Sequence, residues 1–156
     1  MSYVFDNGPL SSLFRNYYPK TFKSLWGYFH ELIADGSIVS TREVLREIED
    51  SPLENLRDWA GDNHHLFATP TAAEGAFILK IYAVPHFQQN IEQQKILKGG
   101  KIADPFVIAK AAIEGRAVVT TEKFKEHAAK IPNICKHFDV ECLSLEEFMQ
   151  REDWEF

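Results

Sequence analysis

The sequence predicts an α/β sandwich built on a mostly parallel sheet. Three observations carry that prediction. Short apolar runs (SYVF, SIVS, RAVVT and VECLSL) are bounded by turn-forming residues. Between them lie longer segments whose apolar residues recur every three or four positions, as one face of a helix requires. The two patterns alternate along the chain, which is the order that covers parallel strands with crossover helices.

The elements follow in sequence. SYVF forms a strand that presents Asp6 at its carboxyl end, and the turn-prone Asn-Gly-Pro comes next. The chain from Leu10 to Ile33 is rich in aromatics, and Phe22, Leu25, Trp26, Phe29, Leu32 and Ile33 share one helix face that Gly36 closes. SIVS is a second strand, and TREVLREIED a helix with Val44 and Ile48 inward. Leu53, Leu56 and Trp59 mark a short helix before the polar loop GDNHH, and LFATP is extended. Helices near 71–84 and 86–98 are separated by Pro85, and Lys98, Gly99 and Gly100 form a loop. A helix over 105–114 stops at Gly115, RAVVT is a strand, and VECLSL a last strand before the helix LEEFMQRE. No repeat, low-complexity tract or linker interrupts this order, so a single domain over residues 1–156 is expected.

Bulk composition narrows the class. Apolar residues make up 45% and charged residues 26% of the chain, as in an ordinary globular protein. No apolar run approaches the roughly 18 residues of a membrane span. The start MSYVFDNG also lacks the layout of a signal peptide, so no membrane contact and a cytoplasmic location are expected. Cys135 and Cys142 are too few for a disulfide framework and fit no zinc spacing; they read as free thiols. A net charge of −6 opposes nonspecific adhesion to nucleic acid over the whole surface, so a nuclease would need a local basic path.

In a parallel sheet, ligands bind outside the carboxyl ends of the strands. Asp6 and Glu122 stand at such ends, and Glu43 and Asp104 at helix starts that can face the same edge. Each has a plainer explanation. Asp104 before Pro105 makes a good helix opening, and Ser40-Thr41-Arg42-Glu43 has the form of a capping box. Glu122 could be a first-turn acid of a following helix. Asp6, which ends an apolar strand, is hardest to explain by packing alone.

Taken in order, YVFDNGPLSSLF, STREV, ADPFVIAKAA and AVVTTEKF resemble the acidic motifs of the PIN-domain ribonucleases, which include the VapC-type toxins. The aromatic stretch with YYP and LWGYF looks more like an uncharacterised bacterial PIN-like branch. The resemblance spans nearly the whole chain and implies a three-layer α/β/α PIN-like sandwich. It maps the acidic cluster onto Asp6, Glu43, Asp104 and Glu122, as ligands of Mg²⁺ or Mn²⁺. Asn-Gly-Pro after the first acid and Glu at the last position depart from the family pattern. Glu47, one turn beyond Glu43 on the same face, is an alternative second ligand.

The implied activity is hydrolysis of single-stranded or looped RNA, leaving a 5′-phosphate, as the toxin of a toxin–antitoxin pair. The implied partners are an antitoxin protein and a second copy of the chain in a homodimer. Hard cations favour such oxygen ligands and leave coordination places for water and phosphate. Thr120 either packs simply at the end of its strand or hydrogen-bonds a carboxylate. Lys95, Lys98, Lys101, Arg42 and Lys123 could hold phosphates. Tyr17, Tyr18 and Trp26 could stack on bases or belong to the core. His64 and His65 read as exposed bystanders. Two rivals fit poorly: a phosphohydrolase would need an acid where Gly8 stands, and a receiver domain would need an acceptor Asp on a central strand. A PIN-like binding module that does not cut is the stronger alternative.

Overall fold

The computed structural model describes residues 1–97 and 99–156; Lys98, one of the candidate phosphate contacts, lies outside the described residues. Five short strands, β1 (Tyr3–Phe5), β2 (Ile38–Thr41), β3 (Phe67–Ala68), β4 (Ala117–Val119) and β5 (Cys142–Leu143), form one sheet in the order β3-β2-β1-β4-β5. Every pairing is parallel, so the sheet is more uniform than the sequence required.

The register places Tyr3 beside Ile38 and Ala117, and Val4 beside Val39 and Val118. Successive strand residues point to opposite faces, so Tyr3 and Phe5 serve one face and Val4 the other. On the first face, Tyr3 and Phe5 meet Phe148 edge-on, and Phe5 also meets Phe29. Phe29 belongs to α2 (Lys23–Ala34) and Phe148 to the last helix, Leu145–Arg151.

α1 (Asn7–Asn16) joins this side through Phe14, which packs on Trp26 of α2 and on Trp59 of α4 (Glu54–Asp62). α3 (Arg42–Glu49) begins directly after β2 and packs on α1 and α4. α5 (Ala72–Tyr82) and α6 (Gln88–Leu97) are joined by a 3₁₀ turn at Pro85–Phe87, as the proline suggested. α7 (Asp104–Glu114) lies on β1, β2 and β4, with α5 and α8 (Ile131–His137) packed on it. Most of α7 is buried, and its alanines let it approach its neighbours closely; the last helix is α9 (Leu145–Arg151).

Several local expectations are corrected. Asn7-Gly8-Pro9 is the first turn of α1 rather than a turn between elements. A proline there lacks only an N–H that would have had no intrahelical partner. α8 went unread because it is seven residues long and holds Pro132 and Asn133, too short for a helical period to emerge. Asp104 is the first helical residue of α7 and Ala103 its N-cap, so the acid does not cap. Glu43 is not a capping-box residue: Thr41 is the N-cap and accepts from the Val44 N–H, a turn position that Glu43 does not occupy. Trp26 is buried and donates to the Tyr17 carbonyl at 2.6 Å, which removes it from base stacking. His64 and His65 are exposed, and Cys135 and Cys142 are free thiols. No helix among the described residues is long and apolar enough to cross a membrane.

Candidate active site

The strand order reverses at β1, where β2 lies on one side and β4 on the other. In an open parallel sheet that reversal opens a crevice at the carboxyl ends, because the connections leave in opposite directions. Asp6 follows β1 at this point, and its N–H continues the ladder to the Val119 carbonyl at 3.0 Å.

Asp6 occupies the N-cap of α1 but makes no side-chain capping bond. Thr41, Thr71 and Ser144 all cap their helices in the usual way. The Asp6 carboxylate is used differently: its Oδ2 accepts from the Thr120 hydroxyl at 3.0 Å. That hydroxyl also accepts from the Glu122 N–H at 3.2 Å, so Thr120 ties the loop after β4 to the acid after β1. Both residues are buried, Asp6 at 6% exposure and Thr120 at 1%. Gly8 brings α1 equally close to that loop, since a Cβ there would lie 2.1 Å from Thr121 Oγ1.

Glu43 sits in the first turn of α3 at 6% exposure. Its Oε1 accepts from Arg42 at 2.9 and 3.2 Å, while Oε2 is buried without a hydrogen-bond partner among the described residues. Ser40 anchors the approach to this helix by donating to the Phe5 carbonyl at 2.7 Å. Glu47, one turn on, is also buried and lines a cleft of about 720 Å³.

Asp104 is 1% exposed, and its Oδ2 accepts from Asn90 of α6 at 2.9 Å. Asn90 also donates to the Ala129 carbonyl at 3.1 Å, which fixes the amide and the carboxylate together. The charge of Asp104 reaches its neighbours. Burial and then Asp104 push the Tyr82 phenol well above its usual range. The Cys135 thiol is raised by its hydrogen bond to Cys142 and by burial, with Asp104 and Glu122 adding to the effect. These two acids therefore act on one common neighbour in α8. Glu122 Oε2 also accepts from the Ile131 N–H at 2.9 Å, holding the start of α8.

The structure thus links Asp6, Thr120 and Glu122 through hydrogen bonds, while Asn90 holds Asp104. Among the described residues, no group of three or more His, Cys, Asp or Glu side chains is preassembled around a single ion position. The donors are all oxygens, and the buried Glu43 Oε2 has unused acceptor capacity. That donor chemistry fits a hard divalent cation whose remaining positions are filled by water.

Sequence reasoning missed Asn90 and Arg15, which lines the cleft, and read Ser40 only as part of a capping box. Asn90 gave no signal because its partner lies across a turn of fold rather than a turn of helix. Among the candidate cations, Arg42 pairs with Glu43, and Lys101 binds Asp50 and the Arg46 carbonyl. Lys95 and Lys123 are exposed.

The strand order and layers are those of a PIN-like three-layer α/β/α sandwich. A chain of the crystal structure of VapBC2 from Rickettsia felis bound to a DNA fragment from their promoter superposes with a TM-score of 0.51, covering 92% of this chain and 98% of that one. At 13% identity this likeness is one of fold. A family model described as a domain of unknown function (DUF4411) matches residues 3–156, and the chain belongs to that family. A comparison with curated protein sequences found no match.

Proposed function

We propose that the chain is a divalent-metal-dependent endoribonuclease that acts as the toxin of a toxin–antitoxin pair. The observation that carries this reading is Asp6: a buried carboxylate at the reversal of the sheet, in an N-cap position, that caps nothing and is instead held by Thr120. A buried carboxylate held at the crevice of a parallel sheet stands where such folds place their ligands.

Asp6, Glu43 and Asp104 are assigned as ligands of Mg²⁺ or Mn²⁺, with Glu47 as the alternative to Glu43. When bound, such a cation lowers the pKa of a water and offsets charge on the phosphodiester. The protein's part is orientation. Thr120 fixes the Asp6 carboxylate, Arg42 restrains one oxygen of Glu43, and Asn90 holds Asp104. Glu122 is assigned to orienting the attacking water or a second ion while its Oε2 retains the Ile131 N–H. The partners proposed are an RNA substrate, an antitoxin segment over the acidic edge, and a second copy in a homodimer. The VapBC2 likeness supports the antitoxin assignment.

A second reading, a PIN-like module that binds without cutting, is favoured by the Glu122–Ile131 bond and by the lack of a preassembled ligand group among the described residues. One experiment separates the two. The wild-type protein should cleave RNA with Mn²⁺ or Mg²⁺ and gain thermal stability from Mn²⁺. Asp6→Asn and Asp104→Asn should lower the rate by about a hundredfold or more and abolish the thermal shift, with circular dichroism unchanged. No cleavage and no metal-induced shift in the wild type would establish the module instead.

A further inference from the structure

The cleft of about 720 Å³ has two unlike walls. One carries Glu47, Asp50 and Lys101, with Lys101 paired to Asp50. The other is α1, which contributes Asn7, Ser11 and Arg15 at successive four-residue steps. Residues four apart lie on one helix face, so these three form a polar stripe along the cleft. At 1.5 Å per residue the stripe runs roughly 12 Å from Asn7, beside Asp6, to Arg15. The Ser11 hydroxyl donates to Asn7 Oδ1 at 3.1 Å, which leaves the Asn7 amide nitrogen outside that bond. Arg15 is exposed and has no ion-pair partner among the described residues, whereas Arg42 and Lys101 are already engaged with acids.

We infer that α1 is the wall along which a single-stranded RNA backbone lies, and that Arg15 is a positioning residue that holds a phosphate distant from the bond to be cut. The inference rests on the nuclease reading above. A polyanion entering this cleft meets neutral donors and one guanidinium on the α1 wall. A planar guanidinium can grip a phosphate with two parallel hydrogen bonds, which sets register as well as affinity. The acidic edge beside Asp6 then receives the phosphodiester lying next to the start of the helix. A cation in the last turn of α1 would also complement the helix dipole without touching any substrate. The test must separate that structural role from phosphate binding.

Binding of a fluorescein-labelled single-stranded oligoribonucleotide long enough to span α1 is measured by fluorescence anisotropy, with calcium replacing magnesium, across a salt series. Arg15→Ala should weaken binding about tenfold and reduce the slope of log affinity against log salt by about 0.7, the share of one single-strand phosphate. In magnesium, its cleavage defect should fall on KM rather than kcat, and the penalty should shrink as the RNA is shortened. Arg15→Gln keeps the side-chain length and should show the same losses, while Arg15→Lys should recover the salt slope but not the full affinity. A drop in melting temperature with an unchanged salt slope would reduce Arg15 to a helix-dipole role and overturn the inference. Equal RNA binding by wild type and Arg15→Ala would overturn it too, and leave the nuclease reading standing if the wild type cuts. An Arg15 effect on binding with no cleavage by the wild type would keep α1 and Arg15 as an RNA-binding wall but overturn the positioning role together with the nuclease reading. No RNA binding by the wild type would remove both.

Discussion

At Gly8 a single hydrogen atom decides how closely α1 approaches the loop after β4. A Cβ at this position would meet Thr121 Oγ1 at 2.1 Å and the Thr121 Cβ and Cγ2 at 3.1 Å, so rotating the threonine only exchanges one clash for another. Gly8→Ala should therefore destabilise the fold by about 1–3 kcal/mol, the usual cost of overpacking a tight contact. Adding Thr121→Ala should return part of that loss, and urea titration of the four species of the double-mutant cycle measures the coupling. If the two effects simply add, the contact does not constrain the loop. The same loop carries Thr120 and Glu122, so a forced shift at Gly8 should also loosen the Thr120–Asp6 bond. Asn-Gly-Pro departs from the PIN-family motif in sequence, yet the small residue serves the acid beside it.

α6 matters at the level of elements because one of its side chains reaches a different helix. Asn90 is 3% exposed and donates both to Asp104 at the start of α7 and to the Ala129 carbonyl before α8. Three elements thus share one amide. Asn90→Leu should cost about 1–3 kcal/mol, since a nearly fully buried carboxylate loses a donor that water cannot replace. Calorimetry gives the stability, and the RNA cleavage proposed for the chain should fall in the same variant as the Asp104 carboxylate loses its fixed orientation. An unchanged melting temperature would mean that α6 does not hold α7. At the other face of the sheet, α9 is fastened by its capping box, with Ser144 accepting from the Glu147 N–H and Glu147 returning to Ser144. The helix so started delivers Phe148 to the rings of Tyr3 and Phe5.

For the molecule as a whole, acid should be destabilising. Glu141 is lowered from its ordinary value chiefly by its hydrogen bonds from Arg151. Burial opposes ionisation of Glu114, but hydrogen bonds and charge from Lys110 and Arg116 outweigh it and leave this pKa lowered as well. A carboxylate whose folded pKa lies below its unfolded value contributes stability fully above the unfolded value, near about 4.3 for Glu, and loses it as pH falls through the folded one. Urea midpoints should therefore be level above about pH 5.5 and fall progressively below about pH 4.5. Glu114→Gln together with Glu141→Gln should flatten that fall, and an unaltered acid limb would show that other carboxylates govern it. Both acids lie away from Asp6, so this measurement is independent of the candidate site.

The periodicities alone determined the class of fold and the order of most elements. Alternating apolar runs and three-to-four-residue spacings are set by local geometry, and Gly36 and Gly115 mark their helix ends by adopting positive φ just where the patterns stop. What each acid does was not legible. Asp104 and Glu43 have sequence neighbours that suggest caps, but the helices begin one residue away from where those motifs would need them. The partners that decide their roles are distant in the chain: Thr120 for Asp6, Asn90 for Asp104, Ile131 for Glu122. Hydrogen bonds across such separations depend on strand order and helix packing, which carry no periodic trace. The sequence therefore supplied the carboxylates and the edge on which they stand. Only the tertiary structure decided which of their oxygens are held and which residues line the cleft, because both depend on contacts closed across the fold.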